Sequence, residues 1–136
     1  MKSRETLIRL KKFQLDERRR RVAQIETMIG DFERIAGDLD REIKAEQDRS
    51  GIHDPSHFAY PTYAKAAIAR RDNLKRSADE LRSQLEDAKA ALAEAGDEMK
   101  KMEILDGRDQ LRERQEGAPG EPARIETTLG LMRNSA

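Results

Sequence analysis

The sequence contains no cysteine and no tryptophan, and only five of its 136 residues are aromatic. Without cysteine the chain can form no disulfide and offers neither a thiol nucleophile nor a thiolate metal ligand. This usage fits a cytosolic protein. No run approaches the roughly 20 apolar residues that a membrane-spanning helix needs, and residues 1–14 lack the apolar core of a secretory signal peptide. We therefore expect a cytoplasmic protein that does not insert into a membrane.

Net charge and catalytic motifs are missing as well. Lysine plus arginine and aspartate plus glutamate each number 27, so the overall charge indicates no polyanionic partner. There is no glycine-rich phosphate loop, no HExxH motif, and no serine with a plausible histidine and aspartate. We predict a protein that is not an enzyme and holds no cofactor. With 40% charged residues, the chain is typical of either disorder or long helices.

Heptad repeats decide in favour of long helices. In residues 74–102 the steps between apolar residues alternate between four and three, which is the a/d pattern of a coiled coil. These residues are Leu74, Ala78, Leu81, Leu85, Ala88, Leu92, Ala95, Met99 and Met102. Residues 8–43 carry a matching pattern, with apolar side chains every seven residues. Its two rows are Ile8, Leu15, Val22, Ile29, Ala36 and Ile43, and then Ile25, Phe32 and Leu39, the second row continuing upstream as Lys11 and Arg18.

The predicted fold class is all-α, a long two-helix antiparallel coiled-coil hairpin with a flexible C-terminal tail. The hairpin domain covers residues 1–116, with a helix at 3–49, a loop at 50–60 and a helix at 61–115. Residues 117–136, which begin with a run of Gly and Pro, form the predicted linker and tail.

Helix order and charge support the antiparallel arrangement. Two helices of similar length joined by about ten residues pack side by side in opposite directions. Residues 2–21 hold nine basic and three acidic residues, whereas residues 79–116 hold twelve acidic and seven basic ones. Facing residue numbers should add to about 110, which places Phe32 near Ala78 and Leu15 near Ala95.

Two groups of polar residues are candidate binding sites. The four arginines at 18–21 could bind nucleic acid, but four consecutive helical residues cover the whole circumference of a helix, so a solvated and internally paired charge run is favoured. His53, Asp54 and His57 match no compact zinc motif, and no further histidine or cysteine could complete a metal site. We therefore expect neither nucleic-acid nor metal binding.

An aromatic group lies where the loop meets the second helix. The group consists of His57, Phe58, Tyr60 and Tyr63. It can close the hairpin by covering the end of the seam, or it can present aromatic side chains to a partner. Both roles can coexist, so the group is a candidate partner-binding site at the hairpin tip.

More apolar residues occur at the open end than one seam can use. They are Leu7, Leu10 and Phe13 on the first helix, and Ile104, Leu105 and Leu111 on the second. A two-helix seam buries one stripe per helix. These six residues therefore form a second candidate partner-binding surface. The alternatives are frayed ends or self-association.

Three stretches of the chain form a recognisable pattern: Met1-Lys2-Ser3-Arg4-Glu5-Thr6-Leu7-Ile8-Arg9-Leu10-Lys11-Lys12-Phe13-Gln14, Gly51-Ile52-His53-Asp54-Pro55-Ser56-His57-Phe58-Ala59-Tyr60-Pro61-Thr62-Tyr63-Ala64-Lys65-Ala66, and Arg70-Arg71-Asp72-Asn73-Leu74. These stretches resemble the FliJ family of flagellar type III export proteins, in its alphaproteobacterial branch. The resemblance covers about residues 1–115, and the loop stretch is its specific part. Beyond Glu116 the sequence departs from the helical continuation expected of the family.

The resemblance implies a cytoplasmic antiparallel coiled coil similar to the stalk of rotary ATPases. Such a protein binds the export ATPase ring, contacts the cytoplasmic domain of the membrane export gate and escorts export chaperones. It has no active site and lies in the cytoplasm or at the cytoplasmic face of the inner membrane. The heptads alone also fit a generic coiled-coil adaptor or a homodimerising scaffold, and residues 18–21 alone would fit a nucleic-acid binder.

Overall fold

The computed structural model describes residues 2–117, which form two α-helices and one connecting loop. Helix α1 spans Lys2–Ser50 and helix α2 spans Thr62–Gly117, and no strand occurs within this range. The predicted all-α helical hairpin is confirmed. Each helix extends one or two residues beyond its predicted end, so Gly117 belongs to α2 rather than to the linker. The remainder of the predicted tail, residues 118–136, lies outside the described residues.

The loop between the helices begins with a glycine cap. Gly51 has a φ of 75°, and its amide donates to the Gln47 carbonyl over 2.8 Å, which ends α1 in the way expected for a left-handed residue at C′. Pro61 was predicted as the first residue of α2. Its carbonyl instead accepts the first helical hydrogen bond, from the Lys65 amide at 3.1 Å, so Pro61 occupies the N-cap position.

The described chain divides into two compact units, each containing a segment of both helices. We call residues 13–96 the loop unit, and residues 2–12 together with 97–117 the terminal unit. Neither α1 nor α2 is long and apolar enough to cross a membrane.

The loop unit is held together by the predicted heptad rows. One buried cluster consists of Ile25, Ile29 and Leu81, with Phe32, Leu85 and Ala88 packed against it. A second consists of Leu39, Ile43 and Ala67, with Ile35, Ile68 and Leu74 packed against it. Burying one such large side chain contributes about 1.5–3 kcal/mol. The seam between the helices is therefore the hydrophobic core of this unit.

Polar contacts between the helices confirm the register of the loop unit. Arg71 donates to Asp40 over 2.9 Å, and the Tyr63 hydroxyl donates to Glu42. The residue numbers of these pairs add to 111 and 105, close to the predicted 110. Phe32 lines the same surface depression as Ala78, as that register requires.

Candidate protein-binding surfaces

The terminal unit carries five large apolar side chains that are mostly outside its core. Their exposed fractions range from 40% for Leu7 to 57% for Ile104. The others are Leu10, Leu105 and Leu111. The sixth predicted residue, Phe13, belongs to the loop unit and is 59% exposed there. The structure thus leaves all six predicted open-end residues accessible to a partner.

The helices of the terminal unit are joined by ion pairs as well as by apolar residues, of which Met99 is buried. Arg4 contacts Asp106 and Asp109, and the Lys11 ammonium lies 2.7 Å from a Glu98 carboxylate oxygen. Asp106 and Asp109 continue the two heptad rows of α2, seven residues after Met99 and Met102. The side chains of Arg4 and these two aspartates are only 21–25% exposed. The terminal unit therefore has partly buried ion pairs beside the buried Met99, and five large apolar side chains at its surface.

The ion pairs occupy seam positions that apolar side chains could otherwise fill. A helix pair meets along its a/d rows, and beyond Met99 and Met102 the rows of α2 carry Asp106 and Asp109, which contact Arg4 of α1. Partly exposed ion pairs are each worth about 0–1 kcal/mol, so they fix the pairing of the helices more than they stabilise it. The sequence prediction recognised Lys11 as a polar seam residue but missed the two aspartates. Extending the α2 rows by one heptad would have found them.

In the loop, aromatic residues separated by only two positions have opposite environments. Tyr60 is 7% exposed, and its hydroxyl oxygen accepts a hydrogen bond from the Gln47 side chain over 2.8 Å. Phe58 is 96% exposed and stacks on His57, with ring centroids 4.8 Å apart. The two predicted roles of the aromatic group are thus divided, since Tyr60 closes the seam and Phe58 is presented to solvent.

The backbone that presents Phe58 is built from short local hydrogen bonds. The Ser56 amide and hydroxyl both donate to the Asp54 carboxylate, at 2.9 and 2.7 Å. These bonds, the amide bond first, hold the pKa of Asp54 below its ordinary value. On the other side of Phe58, the Ala59 amide donates to Nδ1 of His57 over 3.0 Å. Phe58 is therefore held out from an ordered turn.

Tyr63 also lies at the surface, on the first turn of α2. It is 55% exposed, and its hydroxyl donates to the Glu42 carboxylate on α1. Because this bond requires the phenolic proton, it raises the pKa of Tyr63, and burial adds to the shift in the same direction. Tyr63 is therefore about half accessible to a partner.

The polar groups that were considered as sites have separate partners. His53 lies 3.4 Å from Asp48, whereas Asp54 is bonded to Ser56. No group of three or more potential metal ligands occurs in residues 2–117. In the arginine run, Arg19 and Arg20 pair with Asp16 and Glu17 one turn earlier, and Arg21 reaches Gln84 on α2. These contacts favour the interpretation of residues 18–21 as an internally paired charge run.

One exposed apolar residue was not predicted. Met28 is 41% exposed and borders a shallow surface hollow on α1 together with Ala23 and Thr27. Met28 directly precedes the seam residue Ile29 and lies beside the heptad row rather than in it, so the search for seven-residue rows did not select it. Its position adds an apolar contact point on the loop unit.

Comparison of the chain with family models, curated proteins and solved structures finds no match. The function proposed below is therefore supported by the sequence resemblance, by the hairpin fold and by the two exposed surfaces.

Proposed function

We propose that this protein is a non-enzymatic component of the bacterial flagellar type III export apparatus, with the role that the FliJ resemblance implies. It binds the export ATPase through the apolar residues of the terminal unit, contacts the cytoplasmic domain of the export gate through the loop, and helps to escort export chaperones. On this proposal it works in the cytoplasm, at the cytoplasmic face of the inner membrane when the apparatus is assembled.

The observation that carries the proposal is the exposure of five large apolar side chains on the terminal unit. A monomeric protein rarely leaves several large apolar side chains exposed together unless they bind something. Leu7 and Leu10 on α1, and Ile104 and Leu111 on α2, are each about half exposed. Covering the remaining half of one such side chain contributes about 1 kcal/mol, so several of them acting together can anchor a protein partner.

The loop supplies a second contact. Phe58 is almost fully exposed and is held by an ordered turn, which lowers the conformational cost of binding. Tyr63, on the first turn of α2, is a second exposed aromatic residue, and His57 stacks on Phe58. Exposed aromatic side chains are typical anchors of protein interfaces. We assign this surface to the export gate.

The test is stimulation of the ATP turnover of a flagellar export ATPase. The Leu7→Asp, Leu10→Asp double variant should abolish stimulation, because it places two carboxylates where apolar contacts are needed. We expect at least ~30-fold weaker binding, the equivalent of about 2 kcal/mol. Circular dichroism should show an intact hairpin, since the clusters around Ile25 and Ile43 are untouched.

A matched control separates apolar contact from charge. The Thr6→Asp, Gln14→Asp variant adds the same two carboxylates at exposed polar positions of α1 and should stimulate normally. Equal loss in both variants would assign the effect to charge. Undiminished stimulation by the leucine variant would exclude the terminal unit from ATPase binding.

The second candidate function is a generic coiled-coil adaptor or homodimerising scaffold. Exposed Met28 favours it, because this residue adds an apolar contact point on α1 that the export proposal does not use. Undiminished stimulation by the leucine variant, together with dimers in light scattering, would place the scaffold function first.

A further inference from the structure

Two adjacent surface hollows lie between α1 and α2 in the loop unit, and we call them together the lateral groove. The first hollow has a volume of about 370 Å³ and the second about 330 Å³. Buried seam residues line both of them, Ile29 in the first and Ala36 and Ala78 in the second. Glu33 and Arg82 line both hollows and form an ion pair. This ion pair therefore separates one hollow from the other.

Each hollow also has a glycine of α1 in its wall. Gly30 lines the first and Gly37 the second, seven residues further along the helix. A Cβ added at Gly30 would meet nothing beyond its own helix backbone within 4 Å, and one added at Gly37 would meet only the Arg41 side chain, at 3.9 Å. Packing within the loop unit therefore does not require glycine here, although glycine is less favourable than alanine inside a helix. Close approach of another backbone is a use of glycine that accounts for both positions.

The charges around the lateral groove are distributed unevenly. Glu26 on α1 and Glu86 on α2 both line the first hollow, and neither forms an ion pair within residues 2–117. The second hollow is lined by Lys75, which is also without an ion pair in that range, and by Asp40 and Asp79, which pair with arginines. The excess of negative charge is thus at the first hollow, where it favours basic side chains on a partner.

We propose that the lateral groove binds an amphipathic α-helix of another protein, with one apolar side chain in each hollow and basic side chains beside the first. Residues seven apart on a helix lie on one face and are separated by about 10.5 Å, as are Gly30 and Gly37. A partner helix lying along α1 therefore places its residues i and i+7 in the two hollows, which is a common mode of helix recognition. Since Glu33 and Arg82 lie between the hollows, the partner residue above them is small or polar.

The lateral groove shares no residue with the two surfaces assigned above to the ATPase and to the export gate. The proposal therefore does not depend on the identity of either partner. It adds a third protein-binding surface, which belongs to the loop unit alone.

The first test uses a synthetic helical peptide and the full-length protein. The peptide has about 18 residues, is rich in alanine and lysine, and carries two leucines seven positions apart. The control peptide has the same composition, but its leucines are five positions apart and so lie on different faces of the helix. In isothermal titration calorimetry we expect the first peptide to bind at least about tenfold more tightly than the control. Absence of binding, or equal affinity of the two peptides, would overturn the proposal.

Variants of α1 test whether the peptide occupies the groove. Gly30→Leu with Gly37→Leu places side chains over both hollows, whereas Ala23→Leu with Ala45→Leu adds the same side chains at exposed positions outside the groove. The glycine variant should bind the peptide at least about tenfold more weakly, and the alanine variant should bind it normally. Undiminished binding by the glycine variant would overturn the proposal. Its midpoint of urea unfolding should not fall, because leucine favours a helix more than glycine does.

A second pair of variants tests the charge at the first hollow without altering its shape. Glu26→Gln with Glu86→Gln should weaken peptide binding about threefold and reduce its dependence on salt concentration. The control, Glu80→Gln with Glu94→Gln, removes two exposed carboxylates of α2 outside the groove and should have no such effect. Equal weakening by both variants would overturn the proposed basic contact, because it would show that the peptide responds to overall charge.

Discussion

At the scale of single residues, Tyr60 is buried and Phe58 is exposed although they are two positions apart in the sequence. Replacing Tyr60 by Phe removes the partner of the Gln47 amide, and we expect the free energy of unfolding in urea to fall by about 1 kcal/mol. Tyr60→Ala should cost about 3 kcal/mol, since it also empties a buried site. Phe58→Ala should change stability by less than about 0.5 kcal/mol, because the ring is almost fully exposed.

The comparison between these variants also tests the assignment of the loop to a partner. Phe58→Ala should weaken binding to the export gate, whereas Tyr60→Phe should leave that binding unchanged. A Phe58→Ala variant that melts like Tyr60→Ala would show that Phe58 supports the seam, and the loop would then lose its proposed role in recognition.

At the scale of the loop, the Asp54 carboxylate holds the turn through Ser56. Hydrogen bonds from Ser56 to the ionised form lower the folded-state pKa of Asp54 below its ordinary value of 3.8. The stabilisation of the turn is therefore fully present above pH ~4 and is lost as the pH falls through the depressed pKa. The amide resonance of Ser56 should titrate below pH 3.8 in nuclear magnetic resonance spectra, and Asp54→Asn should abolish that titration. A midpoint at or above 3.8 in the unaltered protein would contradict the assigned bonds.

The two helices were predictable because their apolar residues recur regularly every seven residues and because glycine and proline residues mark the loop between them. The seven-residue rows located Ile25, Ile29 and Leu81 in the core, and Gly51 marked the end of α1. Ends were off by one or two residues because hydrogen bonding, rather than composition, decides where a helix stops.

The environment of each candidate residue was harder to derive. Exposure of Leu7 and Ile104 followed from their position off the seam. The burial of Tyr60 and the exposure of Phe58 could not be derived from the sequence. They depend on the path of the loop backbone, which the spacing of apolar residues does not reveal. The ion pairs of Arg4 with Asp106 and Asp109 were missed for another reason. A search for heptad repeats follows apolar residues, so it ends at Met102 and does not reach the two aspartates.

At the scale of the whole molecule, the hairpin should form within one chain. The register places Phe32 close to Ala78, so cysteines at these two positions should form a disulfide within a chain in dilute solution. The single variant Phe32→Cys is the control and should give no dimer. Disulfide dimers of that single variant would indicate two parallel chains in register, and dimers of the double variant alone would indicate exchange of helices between chains.

The ion pairs between the two helix segments of the terminal unit make their pairing sensitive to ionic strength. At physiological salt the screening length is about 8 Å, and partly exposed pairs such as Lys11 with Glu98 weaken as salt rises. The apolar seam of the loop unit is not weakened in this way, and strongly hydrated salts such as sulfate even strengthen it. The ends of the two helices can therefore loosen from each other while the segments nearer the loop remain paired. We therefore expect the pairing of α1 with α2 to depend on salt concentration in the terminal unit and to depend on it much less in the loop unit.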